Sequence, residues 1–582
     1  MTICFSMLLS PFIESADEKL TKKRREKMRF TKRFLLSMIV GIMLVTLVVG
    51  CTAPGQISET QPPAPPAQTE APVVEPTKPA DTPVATEAVS TEAPTEPSAE
   101  PKILKLRLIA DMDNLDPAFQ PTFEDEYASN GIMQPLVGYK PGTWELQNVL
   151  AEDIKQSEDG LTVEFKLKEG IQFHGGYGEM TAEDVKFSYE RIADPATESF
   201  YQIDWETLDH VEVTGTYTGK IILKEPFAPL WNSTLPLVSS WVISKKAFED
   251  MGKDKFALHP IGTGPYEFYE WIPNQQLVLK RFKDYWGEPT EWDELHYLPI
   301  VEDSAAEIAL ETGEIDFGSV SSAAVDRFEA DSNFSVYKVP SLDYQWLAIN
   351  VQHPKLKDIN VRRAIVSAVD VDSIIEAAFD NKWARACALI APGQVGEWTE
   401  APCGKPDFEK AKEYMQAAGL ESLDLTLTID DLEASRTAAE VIQANLAEIG
   451  INVEINVLDS SAFWEGGMGE AGVANRELTY VGYGTTPDPS WSTVWFTCDQ
   501  VVEWNWMYWC NERYDELHEA AMRELDVAKR NVMYIEMQQL MAEDAIAVWV
   551  THPTMLYVSR SDIIASISPH GRFMGWNFKS KQ

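Results

Sequence analysis

The chain has 582 residues, 45% of them hydrophobic and 24% charged, the balance of a protein that buries large cores in about three or four domains. Acidic residues outnumber basic ones 91 to 49, for a net charge of -42. That excess excludes a nucleic-acid partner held through its phosphates and a basic face gripping anionic lipid, and eight His and six Cys, scattered, leave little material for a metal centre.

In chain order, residues 22–33 are basic (Lys22, Lys23, Arg24, Arg25, Lys27, Arg29, Lys32 and Arg33) and residues 34–49 are apolar. A charged stretch, an apolar run and a small residue before the cut describe a secretory signal. The run is short for a membrane span, which needs about 20 apolar residues. Gly50-Cys51 behind aliphatic residues resembles a bacterial lipobox, which implies a palmitate-type anchor on Cys51 and cleavage before it; the alternative is an uncleaved anchor helix. Met28 gives a leader of ordinary length, so residues 1–27 read as an upstream extension and 28–50 as the signal peptide. Residues 52–101 hold 12 Pro and no Phe, Trp or Tyr. Such a segment buries too little apolar area to offset its ordering entropy, so 51–102 reads as an extended stalk.

An exported chain meets an oxidising space, where an even number of cysteines suggests pairs. Sequence neighbours make the expected disulfides Cys387 with Cys403 and Cys498 with Cys510. A zinc site is the rival, without CxxC or HxH spacing to support it.

Beyond the stalk, strand and helix signals alternate. Residues 103–109 and 163–167 read as strands. Thr181-Ala182-Glu183-Asp184 is a capping box opening a helix to about Ile192. A helix over 407–418 stops at Gly419. Residues 423–429 alternate apolar and polar positions, 434–449 carry helical spacing up to Gly450, and 451–457 read as a strand. Strand, helix, glycine stop and strand make a parallel crossover unit, and the class is α/β in more than one lobe.

Motifs for chemistry are sparse. Gly467 to Gly472 matches GxGxxG in form, but no strand precedes it and no helix opens there, so a mobile loop is the better reading. Asp488, between Pro487 and Pro489, reads as a rigid turn rather than a general acid. No catalytic residue, cofactor or metal is expected. Trp491, Trp495, Phe496, Trp504, Trp506, Tyr508 and Trp509 cluster beside Cys498 and Cys510. They form either a local core or a stacking wall for a ligand.

Several stretches are familiar together. His259-Pro260-Ile261-Gly262-Thr263-Gly264-Pro265-Tyr266 resembles the HPxGTGPY segment of bacterial extracellular solute-binding proteins, family 5, the oligopeptide-, dipeptide- and nickel-binding proteins of ABC importers. Leu115-Asp116-Pro117, Leu150-Ala151-Glu152, Phe173-His174-Gly175-Gly176, Thr181-Ala182-Glu183-Asp184-Val185, Asp284-Tyr285-Trp286-Gly287, Glu311-Thr312-Gly313-Glu314-Ile315-Asp316 and Val361-Arg362-Arg363-Ala364-Ile365 also occur in the family's order. The resemblance implies a two-lobed periplasmic-binding-protein fold of type II, with a hinge between the lobes and an extra inserted domain. By position, lobe I takes 103–133, 261–342 and 551–582, the inserted domain 134–260, and lobe II 343–550. In Thr263-Gly264-Pro265 the glycine would supply positive φ and the proline a fixed one.

The implied function is capture of an oligopeptide or similar solute between closing lobes and delivery to ABC permease subunits with their ATPase, by a lipid-anchored monomer. The same resemblance places an ammonium-binding Asp shortly before Asp-Pro in peptide binders. Here Thr485 or Thr486 stands there, and a neutral hydroxyl does not replace a buried carboxylate. That shifts the expectation toward oligosaccharides or another neutral solute. Candidate ligand contacts are Phe123, Glu124, Tyr483, Thr485, Thr486, Trp491, Trp549 and His552. Two rival roles remain: a secreted glycan hydrolase using paired carboxylates near the Trp cluster, and a sensory receptor built on the same lobes.

Overall fold

The computed structural model describes residues 100–120 and 122–581. The upstream extension, the signal peptide, Cys51 and residues 51–99 of the stalk lie outside the described residues. Among the described residues, no helix is long and apolar enough to cross a membrane.

Two mixed sheets dominate. The first carries, in spatial order, Phe334–Pro340, Thr554–Arg560, Phe317–Ser319, Ile103–Leu108, Glu294–Pro299, Gln276–Arg281 and Tyr266–Ile272. The second carries Ala384–Arg385, Ala547–His552, Tyr344–Ile349, Leu478–Tyr483, Leu423–Ile429 and Ile451–Val457. The crossover unit is present. Leu423–Ile429 pairs in parallel with Ile451–Val457, helix Glu433–Ala447 connects them, and Gly450 turns the chain at φ 82. Leu425, Leu427 and Ile429 bury against Ala438, Ala439, Ile442 and Leu446 of that helix. Burial of this kind stabilises by about 25 cal/mol per Å² of apolar area removed from water.

A third body is a four-stranded antiparallel sheet, Ala151–Gln156, Thr162–Leu167, Thr218–Leu223 and Leu208–Gly215. It packs on helix Ala182–Ala193, whose N-terminus is closed by the reciprocal Thr181–Asp184 capping box. Val163, Phe165 and Leu167 on one face of a strand and Val185, Tyr189 and Ile192 on one face of the helix form its core.

The chain passes between the two large sheets at Pro340 to Tyr344 and again at His552 to Thr554. The passages run side by side, with Ser341 N–H donating to the carbonyl of Pro553 at 2.8 Å. Both disulfides form within the second lobe, Cys387–Cys403 and Cys498–Cys510, closing short loops.

The family motifs serve the scaffold. Asp116, fully buried, takes a bidentate bond from Arg191 at 2.6 and 2.7 Å. His174 bonds the carbonyl of Gly264 through Nε2 at 2.8 Å. Gly262 and Gly264 differ from the expectation. Neither has a positive φ. They are glycine because a Cβ at either would overlap backbone carbonyl oxygens of Ile132 and Gly131, against which this segment hydrogen-bonds. A second difference lies at Gly467 to Gly472. Instead of a loop, Gly469–Asn475 is a short helix, and the missing Cβ of Gly467 lets it lie flat on the Trp506 indole.

Gly264→Ala should therefore cost about 1–3 kcal/mol by overpacking, whereas Gly404→Ala, with open space around its Cβ position, should be neutral or stabilise by about 0.4–1 kcal/mol. Urea unfolding of the two variants checks the contrast; equal effects would contradict the close-approach account.

Candidate functional site

A cavity of about 480 Å³ lies between the lobes, and three parts of the fold supply its walls. The first part is helix Phe123–Ser129, opened by a Thr122–Asp125 capping box. Asp125 also accepts the N–H groups of Asp113 and Asn114, which fixes the helix on its neighbouring turn and presents Phe123 and Glu126 to the cavity. The second is the turn Gln202–Trp205. Its Trp205 is buried and stacks on Tyr189 at 4.3 Å, so Tyr201 and Asp204 face the cavity. The third is the segment from Gly482 to Trp504, which contributes Tyr483, Thr485, Thr486, Trp491, Trp495 and Trp504. Trp464 completes this aromatic wall.

A buried ion pair holds that third wall. Asp488, at 0% exposure, accepts two hydrogen bonds from Arg530 at 2.8 and 2.9 Å. It also accepts the N–H of Ser490. Three donors inside the protein engage its carboxylate, so Asp488 is the frame of a turn, as its flanking prolines suggested. Thr485 is fixed from both sides. Its N–H donates to Asp343 at 3.0 Å and its hydroxyl meets that of Ser492 at 2.5 Å.

The walls touch across the cleft. The Ser233 and Thr486 hydroxyls lie 2.7 Å apart, Ser233 also accepts the N–H of Asp488 at 3.0 Å, and the Tyr201 and Trp491 rings stack at 6.5 Å. A Cβ at Gly484 would sit 2.8 Å from the Phe123 ring. Two further cavities, of about 300 and 430 Å³, share walls with the first, one through Glu126, His570 and Arg572, the other through Trp464, Tyr483 and Gly484. The cleft is thus long enough for more than one residue-sized group.

Charge in the main cavity comes from Glu126, Asp204 and Arg572. Burial pushes the Asp204 carboxyl up to about 7, against a weaker pull from the Ser239 hydroxyl. Burial also raises Glu126, which the Arg572 charge partly offsets. Arg572 lies over the Phe123 ring, 3.2 Å from its centroid, and 3.5 Å from the Asp343 carboxylate. His570 beside it is pushed down to about 3 by burial and by the Arg572 charge, so it is a neutral ring.

This geometry has counterparts. The model of the bacterial extracellular solute-binding proteins, family 5, matches residues 145–501. The chain belongs to that family. It is 28% identical over 459 residues to the dipeptide-binding protein of Escherichia coli (strain K12), covering 74% of this chain and 85% of that protein. It is 28% identical over 415 residues to the glutathione-binding protein GsiB of Escherichia coli O1:K1 / APEC, covering 69% of this chain and 79% of that one. Among solved structures, the periplasmic binding protein DppA of Helicobacter pylori, in complex with the peptide STSA, superposes with a TM-score of 0.73 at 26% identity over 82% of this chain and 98% of that one. The two-lobed α/β fold with an extra domain, expected from the motifs, is the fold of this family 5 chain.

Five of the eight candidate contacts line the main cavity: Phe123, Tyr483, Thr485, Thr486 and Trp491. The other three lie elsewhere. Glu124 is buried in the first turn of its helix. Trp549 packs among Tyr344, Trp346 and Phe496. His552 is buried at the crossing, with Nδ1 3.0 Å from the carbonyl of Asp343. The Trp cluster divides between its two readings, because Trp506 and Trp509 are buried core while Trp491, Trp495 and Trp504 face the cavity. Sequence reasoning missed Glu126, Tyr201, Asp204, Trp464, His570 and Arg572. Glu126 follows Phe123 by one helical turn and could have been found from it; Asp204 and Arg572 stand in no motif.

Two predictions follow from burial of charge. Asp488→Asn leaves Arg530 buried beside a neutral partner and should destabilise by about 3–5 kcal/mol, read by urea unfolding. Asp204 has a folded pKa near 7 against an ordinary value of 3.8. The folded state therefore holds its proton more tightly than the unfolded one, and stability is lost as pH rises between these values. Thermal melts of the ligand-free protein from pH 4 to pH 8 should show that loss, and Asp204→Asn should melt higher than wild type at pH 8 with a difference that shrinks toward pH 4.

Proposed function

We propose that this protein captures a short peptide between its lobes and delivers it to the permease and ATPase of an ABC importer. The observation that carries this reading is the cavity between the lobes, whose walls come from both lobes and the third body at once. Contacts made from all of these sides exist only when the lobes are shut, so a ligand that makes them shifts the population toward closure. The dipeptide- and glutathione-binding relatives and the STSA-bound neighbour support a peptide. The partition is the one read from the motifs: lobe I over 103–133, 261–342 and 551–582, the inserted domain over 134–260, lobe II over 343–550. Cys51 carries a lipid anchor behind a cleaved signal peptide, and the stalk lets a monomeric body stand off the membrane near its permease, where tethering raises the local ligand concentration. The protein is a carrier and not an enzyme, and the ligand leaves unaltered.

One observation favours a second reading. Trp464, Trp491, Trp495 and Trp504 line one cavity, an aromatic wall of the kind that also suits sugar rings. Native mass spectrometry of the purified chain, followed by titration with a tripeptide library and with maltotriose, separates the two. Peptide capture should come with a fall in the radius of gyration by small-angle scattering, and Trp491→Ala should weaken it about tenfold. Binding of the sugar alone would replace peptide by saccharide; release of reducing ends would overturn capture without conversion. Cys51→Ala should move the protein from the membrane fraction to the soluble one, and its retention there would overturn the anchor.

A further inference from the structure

The main cavity contains an arrangement of charge that the aromatic wall and the family motifs do not account for. Asp204 and Glu126 both line it, and they come from different elements, the turn Gln202–Trp205 and the helix Phe123–Ser129. The ion pairs around the cavity leave both out: Asp116 pairs with Arg191, Asp488 with Arg530 and Asp343 with Arg572. Both are partly buried, and Arg572 offsets the burial of Glu126 only in part; a partly desolvated carboxylate without a hydrogen-bonded cation is costly, so the pair favours a cationic group supplied from outside. The aromatic faces point the same way. Tyr201 and Trp491 stack beside Asp204, and an indole or phenol face attracts an ammonium through its quadrupole.

The complementary group is also present. Arg572 lines the same cavity and is 4% exposed. Its Nη1 has no hydrogen-bond partner among the described residues, although its other terminal nitrogen lies 3.5 Å from Asp343. A buried guanidinium with an unused N–H lacks an acceptor, and an incoming carboxylate provides one.

Resting on peptide capture at this site, we propose that Asp204 and Glu126 bind the terminal ammonium of the ligand and that Arg572 binds a ligand carboxylate through Nη1. The cavity thus selects zwitterions. Asp204 lies near Thr486 across a small neighbouring cavity, so the carboxylate missing from the second-lobe segment is supplied by the turn on the opposite wall. Because burial holds Asp204 near a pKa of about 7, arrival of an ammonium favours its ionised form and expels its proton near neutral pH.

Isothermal titration of the full chain with a free tripeptide library, the same library N-acetylated, and the same library amidated at its C-terminus reads the two ends without altering the protein. Each blocked library should bind at least about tenfold more weakly than the free one. At pH 6.5 the binding enthalpy of the free library should vary with buffer ionisation enthalpy, reporting proton release. Asp204→Asn and Glu126→Gln, shown folded by their melting curves, should each weaken the free library about tenfold and change the N-acetylated one less than about twofold. Equal binding of free and N-acetylated peptides would overturn the assignment while capture in the cleft stands. A preference for the free amine that survives both substitutions would do the same. Absence of binding to all three libraries would overturn peptide capture and this assignment together.

Discussion

Two adjacent chain crossings constrain everything else in this molecule. The large sheets are joined where Pro340 leads to Tyr344 and where His552 leads to Thr554, and the two passages are bonded to each other through Ser341 and Pro553. Side-by-side crossings let two rigid bodies rotate about a common line while resisting most other displacements, the arrangement of a hinge. Asp343 sits in one of them. Its carboxylate accepts the N–H of Thr485 from the second lobe and faces Arg572 from the first. The residue at the pivot therefore senses both walls of the cavity, and a ligand that engages Arg572 acts on the same node that orients the Thr485 segment.

The rest of the binding wall is stiff by construction. The Asp488–Arg530 pair is fully desolvated and bidentate. Replacing such a pair by apolar residues is often neutral or stabilising, so its value lies less in net stability than in geometry. It sets the turn after Thr486, and the prolines on both sides deny the backbone alternative φ values. The contacts that join the walls across the gap are of another kind. They include the Ser233–Thr486 hydroxyl pair, the Asp488 N–H bond to Ser233, one stacked ring pair and the exposed Arg523–Glu225 ion pair. An exposed ion pair contributes about 0–1 kcal/mol. Rigid walls with weak mutual attraction suit a receptor whose closure is driven by its cargo.

Much of the fold was legible in the sequence because local physics and tertiary packing agree there. The Leu423–Ile429 alternation, the helical spacing ending at Gly450 and the Thr181–Asp184 box each specify their own element. Where a residue's role is set by something distant in sequence, the reading failed or was incomplete. Gly264 looked like a turn glycine, yet its requirement comes from the carbonyl of Gly131, which no local pattern reveals. Gly467 looked like part of a loop, yet it is an indole 39 positions away, that of Trp506, that demands a bare Cα. In the cavity, Phe123 was found by its place after the first strand's turn, Tyr483, Thr485 and Thr486 by the family resemblance of the segment leading to Asp488-Pro489, and Trp491 by aromatic density. Asp204 and Arg572 were not, because an acidic chain offers many carboxylates and only the third dimension separates the partly buried one that lines the cavity from those on the outer surface.

The Cys498–Cys510 link encloses Trp504 and fixes the ends of the stretch that carries it, while Trp491 and Trp495 stand just upstream. Part of the recognition surface is thus stapled by chemistry that the cytosol does not permit. The link joins two points outside both large sheets, so its constraint falls on the loop that carries Trp504 and not on the sheets.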